Sequence, residues 1–98
     1  MLPFRMFRVS GESMLPTYRP GKLLLGRCWF VRPKTGDIIV VKANSRLLVK
    51  RFALIINNQI EVIGDNTAAS LVSRSFGPLP KGAIKAKIIM PRPVRPRA

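Results

Sequence analysis

The 98-residue chain contains no histidine, one cysteine (Cys28) and only four acidic residues, Glu12, Asp37, Glu61 and Asp65. Each scarcity removes a class of chemistry. Without histidine there is no Ser–His–Asp or Cys–His catalysis, and the commonest metal ligand is missing. A lone cysteine allows neither an internal disulfide nor a cysteine-rich zinc cluster. Four acids leave little from which to build a carboxylate cage, so no metal or other cofactor is expected. Any general base must come from lysine, tyrosine or one of those acids. No segment approaches the ~18–20 consecutive apolar residues that span a bilayer. Residues 1–8 are too short and too basic for a signal peptide. The chain is therefore expected to be soluble and cytoplasmic, or held peripherally at a membrane.

Positive charge is plentiful: 18 Lys and Arg give a net charge of +14. Such a surface attracts nucleic acid, anionic lipid or acidic protein, and charge alone does not choose among them. Residues 1–8 interleave apolar and cationic side chains. That pattern suits peripheral contact with an anionic membrane as well as it suits a plain first strand.

Apolar residues form 47% of the chain, enough for the core of one small domain. They fall in short runs separated by turn residues, the signature of strands. One run opens at Leu23-Leu24-Leu25 and continues towards Trp29, Phe30 and Val31. Others cover 37–42, 47–56, 59–63 and 83–90, with Asn57-Asn58 as a hairpin tip. No stretch of ten residues has helical periodicity. The expected fold is all-β, a small coiled or barrel-like mixed sheet. Residues 1–90 form its single domain, and 91–98, with three prolines and three arginines, form a mobile tail.

One lysine is out of character. In residues 47–54, alternation places Lys50 on one face with Leu48, Phe52 and Leu54, and Arg51 on the other with Val49, Ala53 and Ile55. If the first face is buried, desolvation pushes the amine towards its neutral form, a competent general base. An edge position with the side chain snorkelling to water would explain the pattern equally well. A nucleophile is offered by Ser13, because Gly11 permits a sharp bend and Pro16 stops any regular element.

Together these segments resemble the signal peptidase I family of Ser–Lys proteases. Ser13-Met14-Leu15-Pro16-Thr17 is similar to the nucleophile motif S-M-x-P-T. Gly36-Asp37-Ile38-Ile39-Val40 is similar to the strand that follows, and Val49-Lys50-Arg51 to the K-R motif carrying the base. Gly64-Asp65-Asn66, Ser70, Ser73-Arg74 and Phe76-Gly77 resemble the long block that closes the family's pattern. The resemblance implies that Ser13 attacks the scissile carbonyl, that Lys50 takes its proton, and that Ser70 orients the lysine. It implies a Ser13 backbone N–H in the oxyanion hole and Met14 walling a substrate pocket. Asp65, Asn66 and Arg74 would hold the loop that delivers Ser70. The implied partner is a precursor protein or peptide, bound as an added strand and cut after small residues. The minimal size and residues 70–80 look most like the small proteases named for maturation of nickel-type superoxide dismutase.

The sequence departs from the family where Lys22 follows Pro20-Gly21, where Val72 and Ser73 precede Arg74 without an acid, and where Gly11 offers no hydroxyl. Two alternatives stand beside this reading. One is the self-cleaving domain of SOS-type repressors, which uses the same dyad. The other is a basic nucleic-acid-binding β-barrel, against which the few aromatics (Trp29, Phe30, Phe52) are explained more simply by core packing. Nucleic acid is therefore not the expected partner.

Overall fold

A computed structural model describes residues 2–66 and 78–92. Seven strands form one sheet: β1 (Phe4–Arg8), β2 (Leu23–Arg27), β3 (Ile38–Ala43), β4 (Arg46–Ile56), β5 (Gln59–Ile63), β6 (Leu79–Pro80) and β7 (Ile84–Met90). Their spatial order is β1-β2-β7-β3-β4-β5-β6, and the sheet curls into a half-barrel. All six described pairings are antiparallel, so the mixed sheet expected from the sequence is an antiparallel one among the described residues. The reason is local. Two-residue tips at Asn44-Ser45 and Asn57-Asn58, all with positive φ, fold β3, β4 and β5 back on one another. A single 3-10 turn, Lys81–Ala83, joins β6 to β7.

β3 explains why the domain can be so small. Its Ile38 and Val40 enter one core cluster with Phe7, Val9, Met14, Tyr18, Leu24, Ala86 and Ile88. Its Ile39 and Val41 enter a second on the opposite face with Phe52 and Ile60. A strand read as a continuous β-branched run is thus buried on both faces.

β2 is shorter than the sequence suggests. It ends at Arg27, and Phe30 adopts φ +54 before Pro33, which no extended strand accommodates. Trp29 is exposed and Phe30 is 86% exposed, so core packing explains only Phe52 of the three aromatics singled out above. A register shift between Phe52 and Leu54 also breaks the alternation of β4, leaving Leu54, Ile55 and Ile56 exposed.

Candidate active site

Lys50 and Arg51 are consecutive, and the pleat sends them to opposite faces of β4. Lys50 lies across from Ile39 and shares its face with Leu48 and Phe52. Arg51 lies across from Ile38 and shares the face of Val49. Both cations are buried, Lys50 to 4% exposure. Burial pushes the Lys50 amine below its ordinary value of 10.5.

Arg51 is compensated directly. Its Nε and Nη2 donate to the two carboxylate oxygens of Asp65, each at 2.7 Å, and Nη1 donates to the Gly36 carbonyl at 2.6 Å. Asp65 also accepts a hydrogen bond from the Thr17 hydroxyl. Burial alone would raise the Asp65 carboxyl; the hydrogen bonds from Arg51 and Thr17, with the Arg51 charge, outweigh it and hold the group below its ordinary 3.8. One ion pair therefore ties β4 to the turn before β3, to the segment after β5, and to the loop carrying Ser13.

That loop occupies residues 9–22, between β1 and β2. Gly11, at φ +76, turns the chain into it, and Met14 and Tyr18 are buried in the core and anchor it. Successive turns follow, with Leu15 N–H donating to the Glu12 carbonyl and Tyr18 N–H to that of Met14. The Tyr18 hydroxyl donates to the Pro91 carbonyl at 2.6 Å. Half-buried Ser13 sits inside this series, its carbonyl accepting from Asn66 N–H at 2.8 Å, while Asn66 Nδ2 donates to the Glu12 carbonyl at 3.0 Å.

Gly64 follows the end of β5, whose pairing with β4 stops at Arg51–Ile63. A Cβ at Gly64 would fall 2.7 Å from the Ser13 carbonyl oxygen and 3.1 Å from the Ser13 Cβ. The missing side chain therefore leaves a notch, and Ser13 fills it.

Of the residues expected to act, Ser13 is held by Asn66, Asp65 pairs with Arg51, Met14 lies in the core, and Lys50 is buried on the face of β4 opposite Arg51. Ser70 and Arg74 lie outside the described residues. Sequence reasoning missed Arg51, Thr17 and Gly64. Their signals were present, since each belongs to a quoted motif, but motif membership does not reveal which acid an arginine meets. Among the described residues, no three His, Cys, Asp or Glu side chains are placed to hold a metal.

A protein-family model, Peptidase S24-like, matches residues 3–74. A comparison with curated proteins found no match.

Two outcomes follow from this geometry. Asp65→Asn leaves Arg51 buried without its counter-charge and should cost about 3–5 kcal/mol in urea unfolding at pH 7. Because the folded Asp65 pKa is depressed, its contribution is full above the unfolded value of 3.8 and lost as pH falls through the folded value. The gap between parent and variant should accordingly shrink below that pH. Gly64→Ala should displace the Ser13 loop; unchanged amide chemical shifts for residues 12–15 would contradict the notch.

Proposed function

The chain belongs to the S24-like peptidase family, a family of serine peptidases, and on that footing we propose that it is an endopeptidase with Ser13 as nucleophile and Lys50 as general base. The observation that carries this reading is a lysine buried on β4 next to the end of the β4–β5 ladder, with Ser13 packed against Gly64 just beyond that ladder. In the neutral form favoured by burial, Lys50 Nζ takes the Ser13 hydroxyl proton as Oγ attacks the scissile carbonyl carbon. The resulting ammonium returns that proton to the leaving amine as the C–N bond breaks. Water then attacks the acyl-serine carbonyl carbon, Lys50 accepts the water proton, and it passes that proton to Ser13 Oγ as the ester C–O bond breaks and the acid leaves. The Ser13 backbone N–H, on a tight turn, serves the oxyanion. Ser70 orients the amine, as the signal-peptidase resemblance implies.

The substrate is a precursor polypeptide from which an N-terminal leader is removed after small residues. An open strand edge supports an extended substrate. β5 pairs with β4 only from Arg51 onward, so along residues 46–50 the β4 edge away from β3 meets no strand among the described residues. A peptide adding there runs directly towards Lys50 and Ser13.

Mass-spectrometric mapping of cuts in precursor peptides tests the dyad. Ser13→Ala and Lys50→Ala should each lower kcat/KM by on the order of 10⁴-fold or more. Parental kcat/KM should rise with pH through an apparent pKa below 10.5, since only the neutral amine accepts a proton. Persistent cleavage by both variants overturns the mechanism. Cleavage of the chain itself, at a rate independent of its concentration, would instead identify the SOS-repressor type.

A peripheral membrane contact is a second element of this reading. On the outer face of the β1–β2 hairpin, Phe4 (48% exposed), Met6 (54%) and Leu23 stand beside Arg8 and Arg27, with Met90 (60%) next to Leu25 on β7. An apolar patch framed by arginines suits an anionic lipid interface. The chain should co-sediment with phosphatidylglycerol vesicles and not with phosphatidylcholine vesicles, and Phe4→Ser with Met6→Ser should abolish this. Equal behaviour of parent and variant would remove the contact.

A further inference from the structure

Two residues beyond Lys50 on the same face of β4, about 7 Å along the strand, Phe52 forms one wall of a cleft of about 480 Å³. Ile55 of β4, Ile84 of β7 and the Val31-Arg32-Pro33 segment complete it, with Lys81 of the 3-10 turn. The volume falls in the range of about 300–1,000 Å³ typical of clefts that bury a small ligand. Its composition is one-sided. Five apolar side chains line it, and the only charged groups among them are two exposed cations, Arg32 and Lys81, with no acid on any wall. The apolar walls favour desolvation of an apolar group, and the two cations favour a carboxylate beside it.

We propose that this cleft is a second recognition site for the substrate polypeptide, taking an apolar side chain adjacent to an acidic one. This rests on the peptidase reading for the nature of the ligand. The cleft shares Phe52 with the Lys50 face, so a segment seated there lies only a few residues of extended chain from the bond to be cut. Charge complementarity selects the occupant: with a net charge of +14, the whole surface draws acidic segments in, and the apolar walls retain those that carry a large side chain.

Calorimetric binding to the Ser13→Ala chain tests the cleft without requiring cleavage. The ligands are peptides identical except at one pair, Leu-Asp, Leu-Asn or Ser-Asp, walked one position at a time along the sequence. At the best position Leu-Asp should bind about fivefold more tightly than either partner peptide at low salt. In Arg32→Glu/Lys81→Glu the advantage of Leu-Asp over Leu-Asn should vanish or reverse; both positions are exposed, so the fold should tolerate the change. Ile55→Ser, also at an exposed position, should remove the advantage of Leu-Asp over Ser-Asp. Equal affinities at every position, or a preference unmoved by these substitutions, overturn the proposal. Preference without any cleavage by the parent supports the cleft and sinks the Ser–Lys reading. Cleavage without preference does the opposite.

Discussion

Two consecutive cations on a strand buried on both faces set the terms for the rest of the molecule. Removing a charge from water costs several kcal/mol, and the pleat forbids Lys50 and Arg51 from sharing one counter-ion, because it sends them to opposite sides of the sheet. The chain resolves the two differently. Arg51 cannot shed its proton, so it receives a bidentate carboxylate and a carbonyl. Lys50 can shed its proton, and burial moves it in that direction. Neighbouring residues thus divide the work: one is fixed as a charge and organises structure, the other is released towards the neutral form that base chemistry requires.

The organising half reaches further than a single ion pair. Asp65 accepts from Arg51 and from Thr17, so satisfying a buried guanidinium also fixes the loop that presents Ser13. Asn66, the next residue, holds the same loop through the carbonyls of Ser13 and Glu12. Gly64, the residue before, leaves the space that Ser13 enters. Three consecutive residues therefore supply clearance, electrostatic anchorage and backbone capture for one serine. A candidate catalytic group positioned by short, mutually dependent contacts loses little freedom on binding substrate. In a domain of this size, few other elements remain to do it.

The strands were largely legible, because β-branched runs bounded by turn residues leave few other options; 59–63 and the Asn57-Asn58 tip appear as read. The burial of Arg51 was not. Alternation assigns one buried and one exposed face, and that assumption fails where a curled sheet carries core on both sides, as it does along Ile38–Ala43. The same curl buries both Lys50 and Arg51 although only one reads as anomalous from its neighbours. Trp29 and Phe30 differ for the opposite reason: an apolar run predicts an interior position, yet the backbone turns out of the sheet before reaching them. Ser13 was legible as a bend, whereas its closeness to Gly64 depends on a contact 51 residues apart in sequence, which no local pattern carries.

The scarcity of acids links the site to the surface. Asp65 is committed to Arg51, and Asp37 accepts from the Lys34 backbone N–H and pairs with Lys87. Glu12 and Glu61, both exposed, are the remaining acids to set against 18 cations. The charge imbalance comes from the small number of acids, and two of the four are held in ion pairs within the fold. Burial is what moves the Lys50 amine towards its neutral form. A chain without histidine has to draw any general base from lysine, tyrosine or one of its four acids, and of these the lysines and the tyrosine are ordinarily protonated. For a lysine, a buried position in which desolvation favours the neutral amine is a physically consistent way to supply one.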